Sequence, residues 1–161
     1  LVLLGDLLNY GPRNGLCHGL DPLAVAERLN ARAEHIVAVR GNCDSEVDQM
    51  LLNFPIQSPY VLLADGGLRF FLTHGHVYGE GKLPPGPACD VLVQGHTHLM
   101  KLQAPEPGVQ GPVLLNTGSP TFPKGGNPPT FATYAGGVLA LRTLDGTAVQ
   151  SLRLVDGAAL R

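Results

Sequence analysis

Four short apolar runs in this chain stop in the same way, each at a glycine beside a side chain that carries a lone pair. Leu3-Leu4 runs into Gly5-Asp6, Ala38-Val39 into Arg40-Gly41-Asn42, Phe71-Leu72 into Thr73-His74-Gly75, and Leu92-Val93 into Gln94-Gly95-His96-Thr97-His98. Apolar runs of this length, bounded by glycine, read as buried strands. Open α/β sheets hold their ligands just past the C-terminal strand ends. With the four strands side by side, one carboxylate, one amide and three imidazoles converge. The glycines at 5, 41, 75 and 95 allow a sharp turn or a close backbone approach at each end. A single histidine on an apolar strand is ordinarily a satisfied core residue. Three at strand ends beside glycine point to a divalent metal: imidazole suits zinc, manganese and iron, while carboxylate and amide oxygens favour the harder end of that range.

The segments between these runs set the rest of the fold. Residues 9–19 are rich in Asn, Gly and Pro and read as a loop. Asp21 as N-cap and Pro22 at the first helical position open a helix with an apolar face of Leu23, Ala26, Leu29 and Ala33, ending near Glu34. Residues 35–39 form the next strand. Ser45 with Asp48 resembles a capping box for a short helix toward Asn53, closed by Pro55. The period then changes. Residues 60–64 and 68–72 flank Asp65-Gly66-Gly67 as a hairpin. Residues 90–94, 99–103, 113–116, 134–142 and 148–155 read as strands, the last two joined by Asp145-Gly146, with loops at 79–87 and 120–129. A βαβα start followed by a run of strands predicts an α+β sandwich, two sheet layers with helices outside.

Length and composition narrow the function classes. A chain of 161 residues suits a single domain over 1–161. With 44% hydrophobic and 15% charged residues it has material for a core and is not of disordered type. A net charge of -2 calls for neither nucleic acid nor an anionic membrane as partner. No apolar run approaches the ~18 residues of a membrane span, and residues 1–4 lack the basic flank and cleavage site of a signal peptide. Cys17, Cys43 and Cys89 form no CxxC pair and are odd in number, which fits a reducing cytoplasm. The chain opens inside an apolar run and without methionine. A strand needs a neighbour and a way in, so residues are expected to precede it.

The motifs Gly5-Asp6, Gly41-Asn42-Cys43-Asp44, Thr73-His74-Gly75-His76 and Gly95-His96-Thr97-His98, in that order and spacing, resemble those of the calcineurin-like metallophosphoesterases. Residues 39–48, Gly11-Pro12-Arg13-Asn14 and Pro123-Lys124-Gly125-Gly126-Asn127-Pro128 are similar to the small YfcE-type bacterial phosphodiesterase branch. The resemblance implies a β-sandwich flanked by helices, in four α/β/β/α layers, with the first strand and helix missing here. It implies two divalent metal ions at one rim, manganese first, with iron, zinc or nickel as alternatives. Asp6 would bridge them, Asn42, His74 and His96 would complete one site, and His98 would serve the other. A hydroxide between the two ions would attack a small-molecule phosphate ester in line, a diester first and a monoester second. A homo-oligomer is left open.

Two departures from the family pattern carry consequences. The opening Asp-x-His motif, placed by the family about one βα unit, ~30 residues, before the bridging aspartate, is absent. Cys43 stands where many relatives have a histidine that assists the leaving group, and a thiol of pKa ~8.5 is a poorer proton donor to an alkoxide than an imidazolium. Good leaving groups should therefore be preferred. The rival reading is a non-catalytic protein-binding scaffold of the same fold, which the retromer sorting subunit resembles, or an inactive fragment. Elsewhere, His76 reads as a neighbour of a ligand with a secondary chance of touching substrate. Arg13 and Lys124 read as phosphate contacts or solvated loop cations. Asp44 reads as a helix cap before a support for the site, and His18, His35, Cys17 and Cys89 as bystanders.

Overall fold

The computed structural model describes residues 1–12, 14, 19–83, 86 and 88–154. Strand β1 (Val2–Leu3) pairs in parallel with β2 (Val37–Ala38), Val2 opposite Val37 and Leu3 opposite Ala38. Parallel neighbours require a crossover, which helix α1 (Pro22–Asn30) and a 3-10 turn (Ala33–His35) provide. The crossover begins as its sequence dictates, with Pro22 in the first turn and the Asp21 carboxylate accepting from Ala24 N at 3.0 Å. The helix stops at Asn30 instead of continuing to Glu34, because the chain tightens into the 3-10 turn before β2. Helix α2 (Glu46–Leu51) carries the expected capping box: Asp48 N donates to Ser45 Oγ at 3.1 Å and Ser45 N to Asp48 Oδ2 at 2.7 Å.

The larger sheet has the order β3-β4-β5-β7-β6, from β3 (Tyr60–Asp65), β4 (Leu68–Thr73), β5 (Val91–Gln94), β6 (Met100–Gln103) and β7 (Val113–Thr117). Its centre, β4-β5-β7, is parallel and its edges antiparallel. Parallel strands buried on both faces need continuous apolar sequence, and the apolar runs 70–72 and 91–93 supply it. A third, antiparallel sheet runs β10-β9-β8, from β8 (Thr130–Ala135), β9 (Val138–Thr143) and β10 (Ala148–Arg153).

Side-chain alternation distributes the strands among three cores. Phe70, Leu72, Val91, Val93 and Leu115 of the larger sheet meet Leu139 and Leu141 of β9 in the main core. Leu4, Val37 and Val39 join that core, while their neighbours Leu3 and Ala38 turn to the other side and pack with Ala26, Leu29, Leu52 and Ile56 under the helices. Phe71 and Leu92 point away from the main core and are covered by Cys89 and Tyr78, with Tyr60 stacked on Phe71 at 4.9 Å.

The α+β reading holds, with three differences of detail. The strand expected at 35–39 shrinks to two residues, since His35 is taken up by the 3-10 turn. Residues 134–142 are not one strand: Gly136 and Gly137, at φ 56 and 73, turn β8 back on β9, as a Gly-Gly pair does in a tight hairpin. The four strand ends do not lie in one sheet either. β1 and β2 form one sheet and β4 and β5 belong to another. Among the described residues, no helix is long and apolar enough to cross a membrane.

Candidate active site

One side chain joins the ends of the two sheets. His74 follows the last residue of β4, is buried, and places its Nδ1 2.6 Å from the carbonyl oxygen of Leu4, just past β1. A carbonyl oxygen only accepts, so Nδ1 carries the proton and Nε2 faces the opposite way. There Nε2 meets Asn42 Oδ1 at 3.1 Å, His96 Nδ1 at 3.1 Å and Asp6 Oδ2 at 3.4 Å. The Asn42 amide is oriented by its nitrogen, which donates to Cys43 Sγ at 3.2 Å. Two oxygen acceptors thus confront the Nε2 position. A positive charge satisfies that arrangement, either a proton that makes His74 an imidazolium or a metal cation.

The protonation pattern follows. Burial alone would raise the pKa of Asp6, but the hydrogen bonds from His74 and from Cys43 N, at 2.8 Å to Oδ1, outweigh it and hold the carboxyl below 3.8. Burial alone would lower the pKa of His74, but its contact with Asp6 and its bond to Leu4 hold it above 6.5. His96 and His76 are both pushed below 6.5, by burial first and then by the neighbouring His74. The shifts run in opposite directions, His74 toward the charged form and His96 and His76 toward the neutral one. His76 is exposed, its ring 5.2 Å from that of His74 and 6.1 Å from that of His96.

His98 repeats the device of His74: its Nδ1 donates to the Phe122 carbonyl at 2.7 Å, leaving Nε2 as the lone-pair nitrogen. It lines a cavity of about 920 Å³ together with Asp6, His74 and His96. The structure therefore brings Asp6, Asn42, His74 and His96 into contact, with Cys43 beside them and His98 in the same cavity. Among the described residues, no three His, Cys, Asp or Glu side chains surround a common point closely enough to hold an ion as they stand. The contacts close on the His74 nitrogen itself.

The backbone marks the same residues. Asp6, His96 and His98, at φ 56, 62 and 61, are the non-glycine residues with positive φ among those described. That conformation costs an L-residue roughly 1–2 kcal/mol, and such strain gathers at functional sites. The glycines work in two ways. Gly5 and Gly75 take positive φ, at 89 and 115. At Gly41, which does not, a Cβ would overlap Asp6, so the 5–6 and 41–42 loops touch only because this residue is glycine.

Two supports hold the loops, Asp44 in the role the sequence ranks second and Asn116 in one not read from it. Asp44 does not cap the helix, since Ser45 and Asp48 do that; it is buried and clamps both loops. Its Oδ2 accepts from Asp6 N at 2.9 Å and Gly41 N at 2.7 Å, and its Oδ1 from Leu7 N at 2.9 Å. The buried Asn116 braces the 95–98 loop, its amide donating to Gly95 O at 2.8 Å and Thr97 Oγ1 at 3.0 Å. Lys124 is exposed and contributes its backbone N–H to His98 O at 3.0 Å. Cys89 is a free thiol whose pKa burial raises, which suits an inert side chain. Arg13, Cys17 and His18 lie outside the described residues.

Residues 2–135 match the calcineurin-like phosphoesterase superfamily domain. The chain is 49% identical over 150 residues to the phosphodiesterase YfcE of Escherichia coli strain K12, spanning 92% of this chain and 79% of that protein. A solved structure of the YfcE phosphoesterase from E. coli superposes with a TM-score of 0.88 at 44% identity, covering 96% of this chain and 83% of that one. Vacuolar protein sorting 29 from Cryptosporidium parvum shares the fold, with a TM-score of 0.56 at 22% identity over 94% and 97% of the two chains.

Two outcomes are expected from this geometry. Asp44→Asn turns an NH2 group toward backbone N–H donors whichever way the amide lies, and should destabilise the protein by about 2–4 kcal/mol in urea unfolding. The second concerns pH, with divalent ions chelated. The raised pKa of His74 makes its contribution full below 6.5 and lost as pH rises through the raised value. The lowered pKa of Asp6 makes its contribution full above 3.8 and lost as pH falls through the lowered value. Unfolding free energy from this pair should be greatest between those limits and fall above pH 6.5. His74→Gln should remove the fall on the alkaline side.

Proposed function

The chain belongs to the calcineurin-like phosphoesterase superfamily, and from that premise we propose that it is a metal-dependent phosphodiesterase, with phosphomonoesters as lesser substrates, centred on Asp6, Asn42, His74, His96 and His98. The observation that carries this reading is the demand for positive charge at His74 Nε2, where carboxylate and amide oxygens converge.

The donor set fits a borderline divalent ion. A carboxylate oxygen, an amide oxygen and two imidazole nitrogens are what manganese, iron or zinc accept, and the share of oxygen favours manganese. The separations of 3.1, 3.1 and 3.4 Å about His74 Nε2 are about those of neighbouring ligands around an ion with bonds near 2.1 Å. The Nδ1–carbonyl bonds of His74 and His98 are the outer partners that orient metal-ligating imidazoles. Asp6, Asn42, His74 and His96 would hold one ion. A second would meet Asp6 and His98. Divalent ions so placed supply Lewis acidity to a phosphoryl oxygen and activate water near neutral pH. Asn42, a neutral ligand, limits the negative charge presented to an anionic ester. Cys43, with its N–H on Asp6, stands where a proton donor to the leaving group belongs. The reading places a small-molecule phosphate ester in a reducing cytoplasm, where Cys89 is a free thiol.

In metal-replete protein, His96→Ala and Asn42→Ala should each lower bound manganese and cut hydrolysis of bis(p-nitrophenyl) phosphate about 100-fold or more, since even an outer partner of a ligand costs 10–100-fold. Wild-type turnover by replete His96→Ala protein would overturn the assignment. Cys43→His should raise turnover of alkyl esters more than that of aryl esters, because an imidazolium protonates a departing alkoxide better than a thiol does. An equal change on both would remove this position from the leaving-group side.

A further inference from the structure

Two aromatic rings from distant loops meet at the edge of the site. Tyr10 lies four residues after Asp6, and Phe122 belongs to the loop whose own carbonyl holds His98 Nδ1 at 2.7 Å. Their centroids are 5.0 Å apart and their planes inclined at 42°. The inclination keeps them from stacking flush. Unlike Phe71, which is buried in the sheet, both rings are half-buried, and they line the cavity that Asp6, His96 and His98 also line. The Phe122 backbone is held on both sides, its N–H donating to Ser119 Oγ at 2.9 Å and its carbonyl accepting from His98 Nδ1, so the root of the ring is placed by the same loop that orients His98. The residues beside it on the cavity wall, Ser119, Pro120 and Thr121, carry no charge. A phosphate held at the imidazole cluster would direct one ester group toward this uncharged, aromatic wall.

We propose that Tyr10 and Phe122 form a subsite for a flat aromatic group on one ester oxygen of the substrate, an aryl ring or a nucleobase-bearing group rather than an alkyl chain. The inference rests on the phosphodiesterase reading and refines its substrate class. Aromatic side chains favour π-faces over saturated surfaces of equal area, by offset or edge contacts whose worth corresponds to a few-fold to about tenfold in affinity.

Phenyl phosphate and cyclohexyl phosphate have the same charge and similar bulk and differ in flatness. Their binding to the manganese-loaded protein is read by tyrosine fluorescence and by competition with bis(p-nitrophenyl) phosphate, with inorganic phosphate as reference. The chain has no tryptophan and four tyrosines, so a fluorescence response that disappears in Tyr10→Leu is assigned to Tyr10. Phenyl phosphate should bind about five- to tenfold more tightly than cyclohexyl phosphate. Phe122→Leu and, from the other loop, Tyr10→Leu should each bring that ratio close to one, and Phe122→Tyr should keep it. Equal affinities in the wild-type protein, or a preference that both leucine variants retain, would overturn the subsite while leaving the phosphodiesterase reading intact. If none of the three phosphates binds, the phosphodiesterase reading fails and the subsite with it. An adenosine monophosphate arm separates the two aromatic sources: tighter binding than phenyl phosphate, lost in the same variants, assigns the wall to a base-bearing ester, and weaker binding assigns it to an aryl ester.

Discussion

The hydrogen bond from His74 Nδ1 to the Leu4 carbonyl is the interaction on which the site depends. It spans two sheets that share no strand pairing, tying the end of β4 to the end of β1. It also fixes which nitrogen of His74 is left to face Asp6, Asn42 and His96. Without it the ring could rotate and the polar groups would have no common focus. With it, a carboxylate, an amide oxygen and an imidazole nitrogen are held about one buried ring nitrogen, with Asp6 and His96 half-buried and Asn42 exposed at the rim. The need for a cation at Nε2 is a consequence of packing and not of any one residue's chemistry.

Holding the groups there costs conformational energy. Asp6, His96 and His98 each sit at positive φ, together about 3–6 kcal/mol at the usual cost of roughly 1–2 each. The compensation is local. Asp44 accepts three backbone N–H groups from the two loops it joins, and hydrogen bonds to a charged acceptor are worth about 1.5–3 kcal/mol each. Asn116 does the same service for the 95–98 loop through neutral bonds. The two sums are of similar size, which is why the strained conformers persist in an otherwise ordinary α+β core.

The sequence disclosed which polar groups come together more readily than the scaffolding around them. Asp6, Asn42, His74 and His96 stood out because polar side chains at the ends of apolar runs are uncommon. They meet, although their strands come from two sheets instead of one. Sheet membership depends on backbone pairing between residues far apart, which periodicity does not encode. Asp44 was read as a cap because Ser45 follows it and a helix follows that. Two of its three partners are N–H groups 37 and 38 residues away, and backbone donors leave no mark in a sequence. The Phe122 carbonyl on His98 is invisible for the same reason. Asn116, by contrast, had a signal: like Asn42, it is an amide at the end of an apolar run. The β8–β9 hairpin was missed although Gly136-Gly137 is a strong turn signal, because the apolar run on either side reads as continuous.

The central claim is that the focus built on His74 Nε2 holds a divalent cation. The direct measurement is anomalous diffraction from crystals grown with manganese, recorded on either side of the metal's absorption edge. The account predicts a peak about 2.1 Å from His74 Nε2, with Asp6, Asn42 and His96 as its other protein ligands and the Nδ1–Leu4 bond retained. A structure at saturating manganese with no anomalous density there, and with His74 Nε2 still closed on Asp6 and Asn42 as an imidazolium, would contradict it.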